Sequence, residues 1–219
     1  MDNNTLQQTK QLLRQRLLAW FEENGRDFPW RSTADPYSIL IAEMMLRRTT
    51  AAAVSRVYSD FIERYRTPQK LARARLTTIE FMISSLGLQR TRAKHLQNVA
   101  VHLLEKHNGI VPTTMDELME LPGVGIYVAS AVLNFAFGKS NPLVDGNVLH
   151  LLSRVFGLTF DLNDKNAWEF MGSFGPDLDN KVFYWSIIDL VALVCLRRTP
   201  RCTICPLSDF CEWHANYQS

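Results

Sequence analysis

The stretch LPGVGIYVASAV, residues 121–132, decides the reading of this chain. Pro122, Gly123 and Gly125 interrupt any regular element, and from Ile126 onward nothing opposes a helix until Phe137. The two glycines leave a backbone free to adopt conformations closed to other residues, and the helix that follows opens with amides suited to an anion. A plain helix–turn–helix would have the same local signature. Tyr127 at the start of that helix is the residue the turn leaves unexplained.

Outward from this turn the sequence is helical almost throughout, with few alternating or β-branched runs. Leu6, Leu12, Leu13, Leu17, Trp20 and Phe21 form an apolar stripe that predicts a first helix ending at Asn24-Gly25. RDFPWRSTADPY reads as a loop, because each proline disfavours helix in the residue before it. A long helix is expected from about Ile39 to Arg64. Capping boxes at Thr77/Glu80 and Thr114/Glu117 predict two further starts, and Gly87 and Gly109 read as stops. Helices are also expected over 91–107, 146–156 and from Phe183 to Val194.

Hydrophobic residues make up 47% and charged residues 21% of the 219, which suits a folded chain and excludes a disordered one. No apolar run reaches the length of a membrane span and the opening MDNNTLQQTK is unlike a signal peptide, so a soluble intracellular protein is expected. A net charge of +2 says little about partners. Its distribution says more: Arg47 with Arg48, then Arg90, Arg92 and Lys94, then Arg197, Arg198 and Arg201 form three clusters that a polyanion could use.

All four cysteines lie in the last 25 residues as C-x6-C-x2-C-x5-C: Cys195, Cys202, Cys205 and Cys211. That spacing can wrap one metal centre, with structural zinc and a [4Fe-4S] cluster equally open, and two disulfides as the alternative.

The cysteine array, LPGVG and VDGNV (144–148) together resemble the helix-hairpin-helix DNA glycosylases of the endonuclease III and MutY superfamily, from Asp27 to Cys211. The resemblance implies an all-α fold of two helical lobes with a DNA cleft between them. One lobe is a six-helix barrel with the helix-hairpin-helix, residues 28–138; the other is an iron–sulfur cluster lobe, residues 1–27 and 139–219. It also implies a [4Fe-4S] cluster on the four cysteines, a monomer, and double-stranded DNA as partner.

The same resemblance assigns site residues. Asp145 matches the catalytic aspartate, although the local sequence alone favours a helix cap. Glu43 interrupts the apolar YSILIAEMML, where a carboxylate is costly without a partner or a cavity, and it matches the glutamate that assists protonation of the departing base in MutY-like enzymes. A salt bridge is its bland reading. Tyr127 stands where endonuclease III has a lysine nucleophile; a phenol forms no Schiff base, so a glycosylase with little or no lyase activity is implied. Leu46, Arg47, Arg48, Leu88, Gly123, Val124, Gly125 and Asn147 are the DNA-binding residues, with Arg48 as a plug filling the vacated stack and Leu88 as the wedge opposite. For Arg47 and Arg48, non-specific phosphate contact is the alternative.

RDFPWR, DPY and LRRTT resemble the MIG-like branch, which removes thymine mispaired with guanine; MutY proteins carry two glutamines where Arg47 and Arg48 stand. The sequence also stops eight residues after Cys211, short of the domain with which MutY reads oxidised guanine. VDGNV, however, is closer to the MutY form. The expectation is base flipping and removal of thymine or uracil opposite guanine, leaving an abasic site in base excision repair. A MutY-like adenine glycosylase and a non-catalytic mismatch-binding module are the alternatives.

Overall fold

The computed structural model describes residues 2–175 and 180–217; residues 1, 176–179 and 218–219 of the expected cluster lobe lie outside them. Among the described residues there is no strand, and no helix is long and apolar enough to cross a membrane. The helices are α1 (Asn3–Asn24), α2 (Pro36–Leu46), α3 (Ala51–Arg64), α4 (Pro68–Ala72), α5 (Leu76–Met82), α6 (Gln89–His107), α7 (Met115–Met119), α8 (Ile126–Phe137), α9 (Gly146–Phe156), α10 (Lys165–Gly172), α11 (Asn180–Leu193) and α12 (Glu212–Tyr217). They divide into two compact units, one of residues 27–139 and one of residues 1–26 with 140–219.

In the unit of residues 27–139, α2 is buried from Tyr37 through Met45 and packs against α8, itself buried from Val128 through Phe135. A helix that is apolar all round is a core helix. Leu40, Ile41 and Met45, each 0% exposed, contribute about 1.5–3 kcal/mol apiece by leaving water. Pro36 at the first turn and the Asp35 carboxylate, accepting from the Ser38 amide at 2.9 Å, start α2. The RDFPWR loop is drawn inward: Trp30 stacks on Phe28 and meets Tyr58 edge-on. Helix α6 packs on α4 and α5, and α7 on α8.

Three sequence expectations need correction. The long helix over 39–64 is two helices, because the chain turns at Arg47–Thr50 with Arg48 in the left-handed region at φ 55°. Thr77 caps nothing; α5 starts two residues earlier than that cap would place it, with Arg75 at its N-cap and no capping side chain. Arg92 is not a surface cation but is 7% exposed. The Thr114 cap of α7 is present, with its hydroxyl oxygen accepting from the Glu117 amide.

In the second unit α1 packs along α11, and α9 lies against α11 and α12. The Asp2 carboxylate caps α1, accepting from the amides of Asn4 and Thr5. The loop leaving α1 is pinned by Arg26, whose amide and guanidinium make three bonds of 2.7–2.9 Å to the fully buried Asp189 on α11.

Candidate DNA interface and catalytic carboxylates

In the unit of residues 27–139 the hairpin between α7 and α8 is anchored by Leu121 and Val124, both buried, so the side chain of Val124 belongs to the packing of the hairpin and not to its surface. Gly123 has φ +80°, and a Cβ there would also lie 3.3 Å from the His95 ring. Both facts demand glycine. Gly125 is extended, open to space on its side-chain face, and precedes α8 without any capping side chain. The first amides of a twelve-residue helix thus emerge beside an exposed turn, which is the physical basis of an anion site.

Tyr127 sits half-buried one residue into α8, and Glu43 is 4% exposed on α2, the helix against which α8 packs. The Glu43 charge reaches the Tyr58 phenol. Burial, with smaller contributions from Asp35 and Glu43, pushes that phenol up to about 12, so it stays a neutral hydroxyl donating to the Ser38 carbonyl at 3.1 Å.

The basic turn after α2 is held from two sides. Arg92 on α6 donates from Nη1 to the carbonyls of Met44 (2.9 Å) and Met45 (3.0 Å) and from Nη2 to that of Arg47 (2.8 Å). Arg47 in turn donates from Nη1 to the Gly123 carbonyl at 2.7 Å. Arg48 is exposed, Leu46 is half-buried, and Leu88 is 61% exposed in the left-handed region at φ 52°. Left-handed backbone costs a non-glycine residue about 1–2 kcal/mol. Met44, Arg47, Arg48, Leu88, Thr91, Arg92, His95 and Leu96 line one recess.

In the other unit Asp145 caps α9. Its Oδ1 accepts from the amides of Asn147 (2.9 Å) and Val148 (2.8 Å), and its Oδ2 from the Asn147 side chain (2.9 Å). Asn147 is thereby committed to the carboxylate. Burial raises the Asp145 carboxyl above the usual range, against those hydrogen bonds and the charge of Arg197, all of which favour the anion. Arg197 donates to the Gly146 carbonyl at 2.9 Å and so lies beside the cap. The Tyr184 hydroxyl accepts from the Leu143 amide at 3.0 Å and fixes the approach to VDGNV.

The four cysteines are free thiols, which removes the disulfide alternative, and they line one recess with Arg154, Trp213 and His214. Burial is the main cause that raises the Cys195, Cys205 and Cys211 thiols, Cys205 to about 11, and the neighbouring cysteines add to each shift. Sulfurs that feel one another's charge around a shared hollow suit a cationic iron centre. No three His, Cys, Asp or Glu side chains among the described residues form a site for one metal ion. Around the recess Arg154 stacks on Trp213 at 4.2 Å and donates to the Arg197 carbonyl at 3.0 Å. His150 donates from Nε2 to the Cys195 carbonyl at 2.9 Å.

Sequence reasoning took Arg92 for a surface cation and missed Arg154. Both had a signal of the kind that singled out Glu43. Arg92 continues the stripe of Leu96, Val99 and Leu103, and Arg154 sits among Leu151, Leu152 and Val155, charges on otherwise apolar helix faces.

Comparison with known proteins accords with this geometry. The model of the HhH-GPD superfamily of base excision DNA repair proteins matches residues 41–171, and that of the iron–sulfur binding domain of endonuclease III matches residues 195–211. The chain belongs to the HhH-GPD superfamily: it is a DNA glycosylase of base excision repair, and its C-terminal cysteines form the iron–sulfur domain that holds a [4Fe-4S] cluster. A thymine-DNA glycosylase of Aeropyrum pernix is 42% identical over 93% of this chain and 95% of its own length. A thymine/uracil-DNA glycosylase of Pyrobaculum aerophilum is 37% identical over 90% and 88%. An adenine DNA glycosylase of Mycobacterium tuberculosis is also 37% identical, over 92% of this chain but 67% of its own. A solved thermostable thymine-DNA glycosylase superposes with a TM-score of 0.92 at 32% identity, covering 98% of this chain and all of that one.

Proposed function

We propose that this glycosylase removes thymine, and uracil, mispaired with guanine, and that it leaves an intact strand bearing an abasic site. The observation that carries the base assignment is the similarity to thymine-DNA glycosylases across nearly their whole length. The observation that carries the product assignment is Tyr127, a phenol in the place of an amine nucleophile.

In this mechanism the mispaired base is flipped, which costs less than opening a sound pair. Gly123 and Gly125 grip phosphate through backbone amides, Arg48 fills the vacated stack, Leu88 wedges from the other strand and Tyr127 forms an aromatic wall for the flipped base. The C1′–N bond breaks with its electron pair going to the base, and Glu43 hands the base a proton. Positive charge develops on the sugar, where the Asp145 carboxylate stabilises it, orients the water that adds to C1′ and takes up the proton that water sheds, and Glu43 regains its own proton from solvent between turnovers. The cysteines hold the cluster, a structural clamp presenting the exposed Arg197, Arg198 and Arg201 to phosphate, and no bond-making step is routed through it. The protein acts as a monomer on double-stranded DNA.

Duplexes carrying G·T, G·U, A·G and A opposite 8-oxoguanine, incubated with the protein and then treated with alkali, test this reading. Cleavage is expected for G·T and G·U and only after alkali. Cleavage confined to the adenine duplexes would establish the MutY-like reading that VDGNV suggests, and nicking before alkali would refute the assignment of product.

A further inference from the structure

We infer that Arg92 is a positioning residue for base flipping: it locks the plug Arg48 and the wedge Leu88 into one preset arrangement and, through Arg47, ties that arrangement to the phosphate-gripping hairpin. The inference rests on the roles proposed above for Arg48 and Leu88.

Among the described residues only three that are not glycine have positive φ, and two of them are Arg48 and Leu88; the third, Asn108, ends α6. Asparagine at a helix end tolerates that conformation, whereas an arginine and a leucine do not adopt it without support from their surroundings. The support is visible. Leu88 is the N-cap of α6, its carbonyl accepting the first bond of that helix from the Arg92 amide at 2.9 Å as any residue there would supply it, while the Arg92 guanidinium ties α6 to the carbonyls of Met44, Met45 and Arg47, the last immediately before Arg48. One buried residue thus joins the helix that opens at the wedge to the turn that carries the plug. Arg47 extends the chain of contacts, since its carbonyl is held by Arg92 and its guanidinium holds the Gly123 carbonyl. Gly123 itself is left-handed at φ +80° against His95, one helical turn beyond Arg92 on α6.

A helix cap for α2 would need only the bonds to Met44 and Met45. The bond to the Arg47 carbonyl uses the second arm of the guanidinium fork, and a fork is what distinguishes arginine from lysine. Arg92→Lys can therefore keep the cap while releasing the turn. Rigid placement of two side chains before contact matters because misplacing a positioning group by about 1 Å can cost about 100-fold in rate.

The experiment compares wild type, Arg92→Lys and Arg47→Gln, each checked for cluster colour and melting temperature. Single-turnover excision is measured on the mismatch duplex that wild type cuts and on the same target base placed opposite an abasic analogue, where there is no base pair to open. Opening is followed separately by the fluorescence of 2-aminopurine beside the target. Arg92→Lys is expected to lose about 10-fold or more on the mismatch but less than about 3-fold opposite the abasic analogue, with a reduced fluorescence rise, as befits lost positioning. Arg47→Gln, which leaves the α2 cap untouched but also removes a DNA-binding cation, should lose activity on both duplexes, with the larger loss on the mismatch. Equal losses on both duplexes, or losses that only follow melting temperature, would overturn the inference. The fluorescence signal needs no excision, so wild-type opening without base release would sink the substrate reading alone and leave the Arg92 comparison readable.

Discussion

Asp145 is the cap of α9, and the geometry of that cap is compatible with the catalytic role proposed for the same carboxylate. Its Oδ1 is spent on the α9 amides, and the carboxylate is desolvated enough that its proton is held more tightly than in an exposed aspartate. The ordinary value is 3.8, so between that pH and the raised folded value the native state binds the extra proton. Stability from this group is greatest at low pH and falls as pH rises through the folded value, leaving a cost at neutral pH. Asp145→Asn removes that cost and keeps a good cap, so its melting temperature at pH 7 should equal or exceed that of wild type. Single-turnover base release should fall about 100- to 1,000-fold, the scale seen when one transition-state charge contact is removed, with DNA affinity spared. Retained base release would take Asp145 out of the mechanism. In wild type the rate should decline as acid protonates the carboxylate, beginning above the usual carboxylate range. Tyr127 invites the converse experiment. Tyr127→Lys supplies an amine at the start of α8 and should create a borohydride-trappable covalent complex that wild type lacks, because a Schiff base needs nitrogen.

At the scale of elements, the helices that local chemistry terminates were legible. α8 spans Ile126–Phe137 between Gly125 and Gly138, and α9 spans Gly146–Phe156 between the Asp145 cap and Gly157, as read from caps and glycines alone. The break between α2 and α3 was half legible and was overlooked. Thr50 caps α3, its hydroxyl accepting from the Ala53 amide at 3.2 Å, but no proline or glycine marks Arg47–Thr50, and the bonds that hold the end of α2 come from Arg92, 45 to 48 residues further along the chain. Thr77 failed as a cap for the opposite reason: a local motif was present, but α5 had already begun at Leu76. The join between the α1 loop and α11 is likewise long-range. Arg26→Met would remove the guanidinium bonded to the fully buried Asp189 and should cost about 3 kcal/mol, the lower end for a broken buried pair because the guanidinium is partly exposed. A urea melt should show the midpoint fall with the slope unchanged; an unchanged midpoint would mean that water replaces the arginine without loss.

For the whole molecule, the sequence by itself determined the helical class, the family and the cluster ligands. Each depends on spacing along the chain: periodicity sets which face of a helix is apolar, glycines set where the hairpin turns, and four cysteines within seventeen residues (195–211) bring their own ligands together. Tertiary structure alone decided which charges are tools and which are fastenings. Arg48 and Arg92 look alike in a basic sequence, yet one is exposed on a left-handed turn and the other is buried holding that turn in place. The difference arises because a charge takes its meaning from burial and from its partners, and the partners of Arg92 lie on α2 and in the turn after it, which only the fold brings beside α6.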